Sequence, residues 1–438
     1  AAVAALEHLA ATPVPPNATR IRNLCLIAEG IQNDLRQTFL FFAPDFCNPR
    51  YAAEPWFEGH LAAFEPFKGS VYRETLAVTR RVVEIVAQFG GQWPHSSYMT
   101  PGGVTLPADV RRIIACRTVL GEVRRWYEDR IVGMPLDTWL SMTDADAYLA
   151  RLEEPGHAGS ALGRLALSAR ALGLHRIAGG VADMISFGSW CDPDRWTPTA
   201  DARLLPAGFY DGATGRVEPL DQMRINEHVR HSWFRPYEGG RHPWKGETIP
   251  NYQPNSDRYT WAKAPRYGDR VVQTGPLAEL LVAGDPLIAS LHRSEGSSAW
   301  LRQFARVRRI ALELEQARLT LDQLAADLGG EHVLTPAADL PDGEGHGLVM
   351  AARGGLGHWV RIENGVIARY QIVTPTSWNA SPRDSEGRPG HWEQSLVGIA
   401  VRDPDDPVEI GHVIRSHDPC LVCTVHMLDT GKRIGIGP

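Results

Sequence analysis

Residues 415–426 read RSHDPCLVCTVH, close to the end of a 438-residue chain. They place Cys420 and Cys423 in a Cys-x-x-Cys pair, with His426 three residues further on. Two sulfurs at that spacing can reach one metal ion. Asp418-Pro419 stiffens the approach, because proline fixes its own φ and restricts the residue before it. A zinc site needs two more ligands, and the sequence has no second Cys-x-x-Cys. A thioredoxin-like pair belongs at the start of a helix in a βαβ unit, not near a chain end. Two unrelated buried thiols are the third reading. Spacing alone leaves all three open.

Outward from that motif, composition narrows the class. Hydrophobic residues make up 43% and charged residues 22%, ordinary values for a globular domain. The net charge of −6 excludes a general basic surface for nucleic acid, so no nucleic-acid partner is expected. Arg80-Arg81 and Arg308-Arg309 fall in helical patterns and read as solvated faces. Six cysteines are too few for a disulfide framework at this length, which points to a reducing, cytoplasmic setting. No apolar run is long enough for a direct membrane span, so any membrane association would come through partners. The first residues, AAVAALEHLA, start inside an amphipathic pattern with no capping residue, so further residues are expected upstream.

The pattern along the chain is mainly α, with small β insertions. Apolar residues recur at helical spacing over 19–42, 70–88, 107–131, 161–187, 275–293 and 297–328. These define a helical core, 1–189 and 275–330, within one domain spanning 1–438. Residues 190–274 are dense in Trp, Tyr, Pro, Gly and His without a lasting period. Such a segment is expected to be irregular and to wrap a neighbouring surface. Residues 345–373 read as short strands around Glu363-Asn364-Gly365. The small β region and the metal motif together occupy 345–438, with a helix expected over 390–426 ahead of the cysteines.

The motif RSHDPCLVCTVH resembles the C-terminal signature of nickel–iron hydrogenase large subunits. Other stretches agree with that family in order: IRNLCLIAEGIQNDLRQTFLFFAPDF (21–46), EPLDQMRINEHVRHSWF (218–234), HPWKGETIP (242–250), YTWAKAPRYGDRVVQTGPLAEL (259–280), AARGGLGHW (351–359) and VTPTSWNASPRD (373–384). The resemblance covers essentially the whole chain and implies the family's long helical bundle with irregular interface segments. The wording of 23–42 and 418–426 looks closest to the cytosolic uptake and hydrogen-sensing branch.

The resemblance implies one nickel held by four thiolates, two of them shared with an iron that carries CN and CO. Cys420 would be a terminal nickel thiolate and Cys423 a bridging one. Thiolates suit nickel better than they suit magnesium or calcium. His426 would help hold a separate Mg or Fe ion near the C-terminus. Arg353 and Asp418 would stand behind the metals, and Thr376 or Ser377 would offer a hydroxyl to a cyanide. Catalysis would fall to Cys420 and Arg353, in the heterolytic oxidation of H2 to two protons and two electrons. An iron–sulfur small subunit is then required as partner, and 190–270 is the expected surface for it.

Three departures from the family stand out. Its first motif, Arg-x-Cys-Gly-x-Cys-x-x-x-His, is not among these residues, although 1–10 resemble the helix that follows it. A missing segment or a separate chain would have to supply it. Asn33 stands where many relatives carry an aspartate. The tail 427–438, which a protease removes in many relatives, is present. The alternatives are a hydrogen-sensing subunit with the same site, or a metal-free relative resembling the quinone-site subunit of complex I. His95, His231 and His242 read as packing or hydrogen-bonding residues. Cys25, Cys47, Cys116 and Cys191 read as isolated thiols.

Overall fold

In the computed structural model, residues 1–197, 202–334 and 340–420 are described. Two long helices make the axis of the molecule. The first, Pro16–Arg36, starts on a proline whose fixed φ suits the first helical position, and it runs on through a π-helical turn, Gln37–Phe42. The second, Ala299–Ala326, is capped by Ser298, whose Oγ accepts from the Leu301 N–H at 3.0 Å. The two pack along each other. Ile21, Leu24, Ile31 and Leu35 meet Leu301, Phe304, Val307 and Leu314 in the main core. The helices Ser70–Val82, Val110–Trp126 and Ala161–Ala171 surround this pair.

A second, smaller core lies between strands. Met184–Cys191, Arg203–Asp211 and Arg216–Glu218 form one antiparallel sheet. Gly343–Ala351, Gly354–Glu363 and Val366–Val373 form another. Phe187, Phe209, Met350, Trp359 and Trp378 fill the space between them. Helices account for 47% of the residues and strands for 17%, so the class is mixed rather than mainly α.

Several expectations need correction. The helical pattern over 161–187 stops at Ala171, and Met184–Cys191 is a strand buried along nearly its whole length, which a period of 3.6 cannot distinguish from helix. Residues 190–274 are not wholly irregular, since Ile225–His228 also pairs with Ala264–Tyr267. These strands are short and buried on irregular faces, so no alternation marks them. Residues 390–416 hold two helices, His391–Leu396 and Val408–Ser416, rather than one. Arg80 is solvated, but Arg308 and Arg309 are each only 2% exposed.

Candidate metal centre

The helix Val408–Ser416, the last among the described residues, brings Asp418 to the seam between the two cores. Its final carbonyls are taken up by side chains from the two long helices. Gln303 Nε2 donates to the Arg415 and Ser416 carbonyls, both at 3.3 Å, and Gln37 Nε2 also donates to the Arg415 carbonyl. Helix ends expose such acceptors, and burying them here requires these partners. The chain then turns through Asp418, whose φ of 60° is left-handed. That region is unfavourable for most side chains and persists only where surrounding contacts hold it.

Those contacts converge on the Asp418 carboxylate, which is 2% exposed. Its Oδ2 accepts from Asn33 Nδ2 at 2.7 Å and from Arg306 Nη1 at 3.0 Å, and its Oδ1 accepts from Arg353 Nε at 3.0 Å. Three donors replace the water that burial removes from it. Cys420, two residues on, is a free and partly exposed thiol.

Arg353 arrives from the strand region. Residue pairing runs up to Ala351 with Gly354, so Ala352 and Arg353 form a two-residue hairpin tip. Gly354 has φ 136°, and a Cβ there would lie 2.7 Å from Thr274 Cγ2 and 2.9 Å from the Gly275 nitrogen. Only glycine fits that approach. Thr274 Oγ1 accepts from the Gly355 N–H at 2.9 Å. The Ala352 carbonyl accepts from Arg309 Nη2 at 2.6 Å. With its Nε on Asp418, Arg353 keeps Nη1 and Nη2 without a hydrogen bond among the described residues, and its side chain is 35% exposed. It presents a fixed cation with an open end.

Behind Asp418 lies a second layer. Asp34 accepts from Arg306 Nη1 at 3.1 Å and from Arg309 Nε and Nη2, each at 2.8 Å. Arg309 Nη1 donates to Glu279 at 2.8 Å. Arg302, Arg306, Arg309 and Glu313 fall on one stripe of the Ala299–Ala326 helix, and all four are buried. Sequence reading missed this stripe. Its signal was there: charges spaced by four, three and four residues sit in a helix otherwise apolar on that face.

Thr376 and Ser377 open the short helix Pro375–Asn379. The Ser377 hydroxyl is 2.8 Å from Thr374 Oγ1, so it is shared within the cap. Asn379 ties this helix to the Arg353 hairpin by accepting from the Thr274 N–H at 3.0 Å and donating to its carbonyl at 2.9 Å. Neither hydroxyl touches Arg353 or Asp418. Cys423 and His426 lie outside the described residues. Cys25, Cys47 and Cys116 are free thiols, and Cys191 Sγ accepts from Arg203 Nη1 at 3.1 Å. Burial pushes the Cys25 thiol up strongly and Cys47 and Cys116 up to about 12, so these three stay protonated and are poor metal ligands. His231 and His242 are hydrogen-bonded to the Asp257 and Gln222 carbonyls, away from the seam, while His95 is exposed.

The residues present suit a soft metal. A free thiol follows, two residues on, a three-donor carboxylate that one cation with open N–H groups also holds. Buried Arg302 Nη1 and Arg306 Nε, on the same stripe, have no partner. Comparison with known proteins agrees. Residues 165–426 match the family described as nickel-dependent hydrogenase. The chain is 30% identical to the Hydrogenase-1 large chain of Citrobacter freundii over 88% of this chain and 68% of that one. It is 29% identical to the periplasmic [NiFeSe] hydrogenase large subunit of Desulfomicrobium baculatum, over 99% of this chain and 83% of that one. A solved structure of the Dm. baculatum [NiFeSe] hydrogenase superposes with a TM-score of 0.77 at 27% identity, covering 96% of this chain and 84% of that one.

Proposed function

The chain belongs to the nickel-dependent hydrogenase family as a large subunit, an oxidoreductase acting on H2, and from that premise we propose how its residues serve heterolytic H2 oxidation. The observation that carries the proposal is the convergence of Asn33, Arg306 and Arg353 on Asp418, two residues before the free Cys420.

Cys420 and Cys423 would hold nickel as thiolates, with Cys423 shared with an iron carrying CN and CO. The metal pair supplies the binding and polarisation of H2. Cys420 Sγ is the base we assign to the released proton, because coordination keeps a thiolate deprotonated yet basic. Arg353 serves as a fixed cation rather than a base. Guanidinium does not lose its proton in proteins, and its Nε is engaged with Asp418. Its open Nη groups would then face the metals and a cyanide. Thr376 would offer its hydroxyl to the other cyanide. Ser377 is the weaker choice, since its hydroxyl is already shared with Thr374. His426 would serve a separate Mg or Fe ion.

Electrons must leave through another chain. With six cysteines, four of them outside the motif, this sequence has no set for iron–sulfur clusters of its own. We assign an iron–sulfur small subunit to that role. Tyr252, Tyr259 and Trp261, exposed by 61%, 44% and 48%, form an aromatic patch suited to contact it. No helix among the described residues is long and apolar enough to cross a membrane. The wording of 23–42 and 418–426 supports placement near the cytosolic uptake and sensing branch.

The test is Cys420→Ser in the assembled enzyme. Nickel content and the CN and CO infrared bands are read together with H2-dependent dye reduction. Loss of nickel and of turnover is the expected result. Wild-type-level nickel and turnover in the variant would refute the assignment.

A further inference from the structure

Among the buried ionisable groups that the mechanism above does not use is Glu313. Glu313 is 4% exposed and lies at the inner end of the arginine stripe. Its Oε2 has no hydrogen-bond partner among the described residues. Its nearest cation contact is Oε1 to Arg309 Nε at 3.8 Å, too long for a hydrogen bond. The carboxyl occupies room that Gly30 leaves open on the facing helix, where a Cβ would come within 2.0 Å of Oε1. Asp34, one turn further along that helix, receives three donors within 3.1 Å. The two carboxyls are thus treated very differently by the same Arg309.

A charge count explains the difference. Around the network stand four carboxyl groups, Asp34, Glu279, Glu313 and Asp418, and three guanidiniums, Arg306, Arg309 and Arg353. Arg302 does not balance Glu313, since eleven residues of helix separate them by about 16 Å. Three cations balance three anions only if one carboxyl is neutral. Glu313 is the one without hydrogen bonds, and an unpaired buried carboxylate is costly. The groups facing it are Arg309 on its own helix, Asp34 on the Pro16 helix, Glu279 on the helix Pro276–Ala283 and the phenol of Tyr127. Burial drives its carboxyl well above the usual range; Arg309 opposes this, and Asp34 and Glu279 reinforce it.

We propose that Glu313 is a proton-gated positioning residue: as a neutral acid it leaves Arg309 clamped on Asp34, which keeps Arg306 and Arg353 on Asp418 beside Cys420. Ionised, Glu313 would compete with Asp34 for Arg309 Nε and loosen both Asp34 and the Ala352 hairpin tip. The proton leaves Glu313 for solvent as pH rises, and nothing is oxidised or reduced. This rests on the hydrogenase reading above.

The test uses the assembled enzyme with Glu313→Gln, a neutral isostere. Infrared spectra at neutral pH are expected to show a protonated-carboxyl C=O band that shifts in D2O, vanishes in the variant, and bleaches in the wild type at alkaline pH. The alkaline limb of the H2-oxidation profile is expected to move up by ~1 pH unit or more in the variant. Absence of such a band in the wild type, or an unmoved alkaline limb in E313Q, overturns the proposal. If E313Q fails to assemble, Gly30→Ala provides the second arm. It evicts the carboxyl from its slot, so the band should shift or be lost, and an unchanged band refutes the proposal. Nickel content is read in parallel. Its absence from the wild type would count against the hydrogenase assignment alone, because the carboxyl band is measurable without metal.

Discussion

Asn33→Asp tests the electrostatics of the site most directly. In the wild type the Asn33 amide donates to Asp418 Oδ2 at 2.7 Å. The variant replaces that donor with a carboxylate. A hydrogen bond to a charged acceptor is worth about 1.5–3 kcal/mol, and an ionised carboxylate at 33 would lose it. Two carboxylates at that distance repel by about 6 kcal/mol at an effective dielectric of 20. Keeping one of them protonated at neutral pH costs about 4 kcal/mol, three pH units at 1.36 kcal/mol each. Proton uptake is therefore the cheaper route. The retained proton restores a donor to Asp418 Oδ2, so the cost of that protonation, about 4 kcal/mol, is the destabilisation expected. The shared proton means a folded-state pKa above the unfolded value. The deficit is then smallest at low pH and grows as pH rises towards the folded value. Urea unfolding of both proteins across that range measures it. Equal stability at neutral pH, or a deficit that does not change with pH, would refute this reasoning.

Other outcomes follow from single contacts. Arg353→Lys cannot hold Asp418 and keep two open N–H groups, so H2 oxidation should fall about 10²-fold with nickel unchanged, measured by dye reduction and metal analysis. Gly354→Ala meets Thr274 Cγ2 at 2.7 Å with φ 136°, and should cost about 1–3 kcal/mol in denaturant unfolding while lowering turnover as the hairpin tip shifts. His60 is 1% exposed, lies 2.9 Å from the Trp56 carbonyl and 3.0 Å from Ser168 Oγ, and burial pushes its pKa down to about 4. A depressed histidine binds fewer protons folded than unfolded, so stability present above pH ~6.5 is lost as pH falls towards 4, by about 3 kcal/mol in all. His60→Asn should flatten that acid limb in pH-dependent unfolding, and an unchanged slope would exclude His60 as its source.

Much of the fold was readable because helices advertise their period. The Pro16 and Ala299 helices and the three strands between 343 and 373 fall where the pattern put them. The strand Met184–Cys191 was hidden for the opposite reason. It is buried on both sides, so its continuous apolar run carries no period of two. Within 203–267, Ile225–His228 was hidden because it pairs with Ala264–Tyr267, a partner distant in the chain rather than across a marked turn. At the site, Arg353 and Asp418 were legible through the resemblance, and the structure places them in contact. Thr376 and Ser377 were named on the same ground, and they reach that contact only through Asn379 and Thr274.

The part that no motif signalled is the layer behind Asp418. Charged pairs in helices are usually solvated, and Arg308-Arg309 was read that way. The structure reverses it because Asp34 and Glu279, on two other helices, supply counter-charges that sequence distance conceals. Such pairs give little net stability, since desolvation offsets the attraction. What they provide here is position. Arg309 ties the Ala352 hairpin tip to Asp34, and Arg306 ties Asp34 to Asp418. The cation of one core and the thiol that follows the last helix of the other are thus held by a continuous set of hydrogen bonds. Asn33 belongs to that set. As a neutral donor it removes the second carboxylate that would otherwise crowd Asp418, while Asp34, the next residue, turns its charge inward to the arginines. Asn33 and Asp34, adjacent on one helix, thus divide the work: the amide faces Asp418 and the acid faces the arginines.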